Sequence, residues 1–182
     1  MYKMSGIFFA TALCVAAMAQ PSVAVAQVSS ADSATLQGFT LDDAFLGKWK
    51  AVQTDAAKDP CHLDAMRVLK GGMGHNGQPQ SLSQMASAYD AQPGVHAMLA
   101  SHGLTATEYM AGVITLFSAG VQQLAAQHPD MVKKGYISSA SNVSPANMAY
   151  YNAHKDEIHQ FSQQLAQQRL QQSGGKMPTC AG

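Results

Sequence analysis

The chain has 182 residues, 47% of them hydrophobic and only 12% charged, with 11 basic and 11 acidic side chains. An ordinary soluble chain carries roughly 25% charged residues, so Gln, Ser and Ala must supply much of the surface. Binding to a phosphate backbone needs clustered cations, and no basic run occurs, which sets nucleic acid aside as a partner.

The N-terminus carries one early cation, Lys3, then an apolar run from Ile7 to Met18 and small residues ending in Ala24-Val25-Ala26. This is the layout of a secretory signal with an A-x-A cleavage site, and the apolar run is too short to span a bilayer. Cleavage after Ala26 assigns residues 1–26 to the signal. It leaves a mature chain of about 156 residues with a net charge of about −1, enough for one domain with its own core. The expected location is periplasmic or secreted. Leu13 precedes Cys14 where a lipid anchor normally has a small residue, so lipidation is the lesser alternative.

Of the three cysteines, Cys14 leaves with the signal, while Cys61 and Cys180 remain. In an oxidising compartment an even pair is expected to join. The bond would tie the Gly-rich tail, residues 173–182, to the start of an early helix. A loop that long stabilises by roughly 4–5 kcal/mol in the chain-entropy description.

Residues 27–39 are polar (QVSSADSATLQGF) and are expected to form a flexible leader before a single helical domain over residues 40–172. Within that domain Thr40 can cap a first helix, with Asp42 and Asp43 in its first turn and Leu41, Phe45, Trp49 and Val52 at helical spacing. Asp59-Pro60, a cap followed by a first-turn proline, starts a second helix through Ala65, Met66 and Leu69 that Gly71 stops. Ser81, three residues before Gln84, opens a short third. Pro93 opens a fourth through Val95, Met98 and Leu99, ended by Gly103.

The fifth element has the fullest set of signals. Thr105 and Glu108 form a capping box, followed by Tyr109, Val113, Leu116, Phe117, Val121 and Leu124 until Pro129 breaks the run. Tyr109 to Val121 is apolar almost all round yet too short for a membrane span, which marks a buried central helix and no span in the mature chain. Gly112 and Gly120, eight residues apart with Leu116 between them, share one face and would let a partner or ligand approach closely. Ser144-Pro145 starts a sixth helix through Met148, Tyr151, Ile158, Phe161 and Leu165, with an interruption expected at Asn152 to His154. The fold class that follows is all-α, a compact bundle of about five to six helices.

The stretch Gly71 to Gly77, GGMGHNG, contains G-x-G-x-x-G, but a dinucleotide cradle needs a strand before it and a helix directly after it. The preceding DAMRVLK reads as a helix end, and Pro79 delays the next start, so no cofactor is assigned. Met73 and His75 in the same loop offer a thioether and an imidazole, a pair suited to copper. They are the candidate ligands of a metal-binding alternative. The seven histidines include no i, i+4 pair and no cluster of zinc spacing. His128-Pro129-Asp130 matches the signature loop of J-domain co-chaperones in three residues only, without the basic helix that precedes it there. His62 with Asp64, and His154 with Asp156 and Glu157, supply acid and base groups, but no G-x-S-x-G frames a serine. No catalytic residue is assigned, which leaves a hydrolase-like enzyme as a third alternative with its residues unidentified.

Two segments, GLTATEYMAGVITLFSAGV over 103–121 and SPANMAYYNAHKDEI over 144–158, resemble a loose group of small exported helical bacterial proteins with no assigned activity. The resemblance implies export and helices and transfers no catalytic residue. The leading expectation is therefore an exported, non-enzymatic helical domain that binds a partner protein or a small apolar ligand, with Gly112, Leu116 and Gly120 on the binding face. The exported protein should begin at Gln27 and hold no free thiol. Intact mass and thiol titration check this, and two reactive thiols in the folded protein would defeat the disulfide.

Overall fold

The computed structural model describes residues 30–59, 61, 63–65, 68, 80–135 and 143–172. Among them the chain is all-α: seven helices and no strand. They are α1 (Ser30–Gly38), α2 (Asp43–Ala56), α3 (Leu82–Asp90), α4 (Val95–Ser101), α5 (Ala106–Gln127), α6 (Pro129–Lys133) and α7 (Pro145–Gln172). The second expected helix, from Asp59 to Gly71, falls largely outside the described residues. Within it Ala65 and Val68 are helical, and Ala65 is buried.

The polar segment expected to be a flexible leader is instead helical from residue 30. Leu36 enters the core, and buried Asp32 accepts a hydrogen bond from the Leu82 amide at 2.9 Å. That amide is one of the unpaired donors at the start of α3, so a helix whose composition is mostly polar is tied to the core and to a distant helix start.

Thr40 does not cap α2; Asp42 does, its Oδ1 accepting from the Phe45 amide at 2.7 Å. The two-residue delay has a cause at the far end of the chain. Asn147, 1% exposed at the start of α7, accepts from the Leu41 amide at 2.8 Å and donates to the Phe39 carbonyl at 2.7 Å. One buried side chain thus satisfies a backbone donor and a backbone acceptor of the non-helical segment before α2.

The starts of α3 and α5 follow local rules. Ser81 with Gln84 and Thr105 with Glu108 each form a complete capping box, with side chain and backbone exchanging bonds across the first turn. At α4 the helix opens at Val95, two residues past Pro93. Gln92 to Val95 form a turn in which Pro93 is followed by Gly94 at φ 82°, ψ −13°, and the Val95 amide donates to the Gln92 carbonyl. This is the type II geometry that requires glycine at its third position.

Helix α5 is the hub. It has nine buried residues, including Tyr109, Met110, Ile114 and Leu116, and it touches α1, α3, α4, α6 and α7. Its length and apolarity would also allow it to cross a membrane, but over half of its most apolar stretch is buried inside the fold. Pro129 ends it as expected and then occupies the first turn of the short α6. Helix α7 runs unbroken through Asn152 to His154. Asn147, Tyr151, Ile158 and Leu165 form its buried stripe, while Asn152 is exposed and His154 stacks on Tyr150 at 4.3 Å.

Contacts between side chains fix the directions of the main helices. Asp43 meets Tyr150 and Lys50 meets Glu157, so α2 and α7 run parallel. Phe45 meets Gly112 and Gln53 meets Tyr109, so α5 runs antiparallel to α2. At the centre Tyr89 and Tyr109 stack at 5.5 Å. Tyr89 donates to the Leu63 carbonyl and Tyr109 accepts from Gln53, so both buried hydroxyls have partners. Burial raises both phenols well above their ordinary range.

At Gly112 the Phe45 ring of α2 lies directly on the α5 backbone: a Cβ there would lie 1.8 Å from Cζ of Phe45. Gly47, in the exposed face of α2, would meet nothing within 4 Å. Gly112→Ala should cost about 1–3 kcal/mol through displacement of the ring. Gly47→Ala should stabilise by about 0.5–1 kcal/mol, because only the helix-propensity gain operates. Urea unfolding of the two variants checks both signs.

Candidate ligand-binding groove

The apolar surface of α5 is more than its neighbours cover. On the side facing α2 and α7, Phe117 and Leu124 remain 41% and 40% exposed. They lie along an open groove of about 680 Å³ bounded by three helices. Its wall on α5 runs from Val113 through Leu116, Phe117, Gly120 and Val121 to Leu124 and Gln127. Helix α7 contributes Tyr151, Lys155, Ile158, His159 and Ser162, and α2 contributes Trp49 and Gln53. The volume lies within the roughly 300–1,000 Å³ of small-molecule sites, and a mainly apolar lining with a few polar groups is their usual composition.

The groove exists because of particular side-chain sizes. Gly120 leaves room for Tyr151, whose hydroxyl oxygen would lie 3.1 Å from an added Cβ. Tyr151 therefore rests on the α5 backbone and closes the floor. Trp49 is held edge-on by Phe161 at 5.4 Å, so the indole lines the groove in a fixed orientation. Burial raises the Tyr151 phenol above its ordinary value, which keeps it a neutral hydroxyl at physiological pH.

The face expected to bind is divided by the fold. Leu116 and Gly120 line the groove, whereas Gly112 is covered from within by Phe45. Met73, His75 and Cys180 lie outside the described residues. Among those described, no group of three or more His, Cys, Asp or Glu side chains is placed to hold a metal ion. His154 sits between two carboxylates, with Nδ1 3.0 Å from Glu157 and Nε2 3.6 Å from Asp43. Its expected companion Asp156 faces the groove instead.

A smaller cleft of about 380 Å³ lies between α3, α4 and the start of α5, lined in part by Ser87, Asp90, His96 and Thr107. Asp90 holds Nδ1 of His96 at 3.2 Å. The His96 side chain is 81% exposed, and its one hydrogen-bond partner among the described residues is that carboxylate. An acid–base pair without an aligned nucleophile is what a solvated surface ion pair looks like.

Lys155 belongs to no motif of the sequence. Its signal is positional: it falls between Tyr151 and Ile158 on the buried stripe of α7, where a charge is out of pattern. Compared with protein-family models, with curated proteins and with solved structures, the chain matches none. The groove therefore stands on its own geometry.

Behind the groove, α2 and α7 are clasped by Lys50 and Glu157, with His154 on the other oxygen of the carboxylate. The hydrogen bond from Lys50, then that from His154, holds the Glu157 carboxyl below its ordinary value. A depressed folded-state pKa contributes stability above the unfolded value of about 4.3 and loses it as pH falls through the folded value. Glu157→Gln should therefore unfold at lower temperature than the parent at pH 7. The difference should close below about pH 4 and shrink in high salt. Thermal melts across pH and ionic strength check it.

Proposed function

We propose that this is an exported, non-enzymatic carrier or sensor domain that binds a small apolar ligand in the groove between α2, α5 and α7. The observation that carries the reading is the pair Phe117 and Leu124, left exposed along one wall of an open, mainly apolar trough. An exposed apolar patch rimmed by polar residues is a usual mark of a binding surface. The signal-like N-terminus supports export. The ion pair between Arg169 and Asp64 at 3.3 Å, which brings the end of α7 beside the segment of Cys61, supports a bond from Cys61 to the C-terminal tail. We read the Cys61–Cys180 disulfide as the staple that holds the C-terminal end of α7 while the groove stays open. Helix α5 is in this reading a soluble core helix: Phe45 occupies its Gly112 face, and a charged capping box at Glu108 opens it.

Trp49 is the only tryptophan in the chain, and it lines the groove. Titration with a medium-chain alcohol below its aggregation concentration should give a saturable change in Trp49 emission. Phe117→Glu should weaken binding about tenfold or more, since burying a phenylalanine against an apolar ligand is worth roughly 1.5–3 kcal/mol. No saturable response, or one that Phe117→Glu leaves intact, would refute apolar binding in this groove.

A further inference from the structure

We propose that the ligand is a single-chain amphiphile with a carboxylate head, and that Lys155 is the residue that selects it. This rests on the reading that the groove takes apolar ligands and adds the head-group chemistry. Of the cations on α2 and α7, Lys50 pairs with Glu157 and Arg169 with Asp64. Lys48 donates to the Gly103 carbonyl at 2.9 Å. Lys155 is half-buried in the groove wall and makes no ion pair or hydrogen bond among the described residues. An ammonium partly withdrawn from water beside apolar walls is poorly compensated until an anion reaches it.

Placement suits the same occupant. Tyr151 lies against Gly120, and Lys155 follows one turn later on α7, toward the Leu116 end of the antiparallel α5. From Phe117 to Gln127 the lining of α5 then extends for about 15 Å at 1.5 Å per residue, with Gly120, Val121 and Leu124 along it. A carboxylate at Lys155 leaves its alkyl chain over that strip. His159, one further turn along α7, lines the same wall and can donate to the head. Asp156 also lines the groove, but it is exposed to solvent while Lys155 is half-buried. Charge interactions strengthen as water is excluded, so the less solvated cation sets the preference.

The test compares dodecanoate, dodecanol and dodecylamine, each below its aggregation concentration, by Trp49 emission on the full mature chain. Dodecanoate should bind roughly tenfold tighter than dodecanol, as a charge-assisted hydrogen bond replaces a neutral one, and dodecylamine should bind most weakly. Lys155→Met, which keeps the apolar stem, should bring dodecanoate down to the affinity of dodecanol. Lys155→Arg should retain the preference. Equal binding of acid and alcohol by the parent, tighter binding of the amine, or a preference that survives Lys155→Met would overturn the carboxylate assignment and leave apolar binding standing. Silence with all three ligands would overturn both.

Discussion

The ring of Phe45 lies where any side chain at position 112 would have to be. The rest of the bundle depends on this one close approach. It seats the Phe45 ring of α2 directly on the α5 backbone at Gly112, where no Cβ holds it off. One turn beyond Phe45, Trp49 then reaches the groove, and two turns beyond, Gln53 reaches the Tyr109 hydroxyl at 2.7 Å. Phe39 braces the ring from behind, edge-on at 5.1 Å. With α2 fixed on one flank of α5 and α3 on another, the surface bearing Phe117 and Leu124 is what remains uncovered.

Two buried polar side chains make that packing specific where apolar contact alone would leave it degenerate. Asn147 satisfies the Leu41 amide and the Phe39 carbonyl from across 106 and 108 residues of chain. It thereby fixes how α7 enters the bundle relative to α2. Asp32 does the same between α1 and the first amide of α3. Each leaves a backbone group unpaired if it is lost, a cost far above that of an exposed hydrogen bond. The elements they join are distant in sequence, so they act as registers between the two ends of the domain.

What could be read from the residues was what is decided within one turn of helix. The capping boxes at Ser81 and Thr105, the stop at Pro129 and the buried stripe of α7 are all local chemistry. The fold class followed from them. What required the structure was decided by long-range pairing. Thr40 has a good capping side chain, but Asn147 holds the neighbouring amide, and Asp42 caps α2 instead. Residues 30–38 look like a leader because their composition is mostly polar, while Leu36 and Asp32 anchor them to distant elements. The small-residue face of α5 was visible, but which of its glycines is filled from within and which opens onto the groove depends on where Phe45 and Tyr151 arrive. Lys155 is legible only as a charge out of place in an apolar stripe, and its meaning comes from the lack of a partner among the described residues in three dimensions.

The groove, with the Tyr151–Gly120 contact in its floor, an indole in its wall and a cation that has no partner among the described residues, differs in kind from the smaller cleft around Asp90 and His96. The most direct discrimination is an amide shift map of the isotopically labelled protein titrated with a medium-chain carboxylate. Binding in the groove should move the resonances of residues 113–127 and 151–162, with those of Trp49 and Gln53, and leave Val95, Leu99 and Ser87 in place. Shifts centred on Asp90, His96 and Thr107, or no shifts at saturating ligand, would contradict the account.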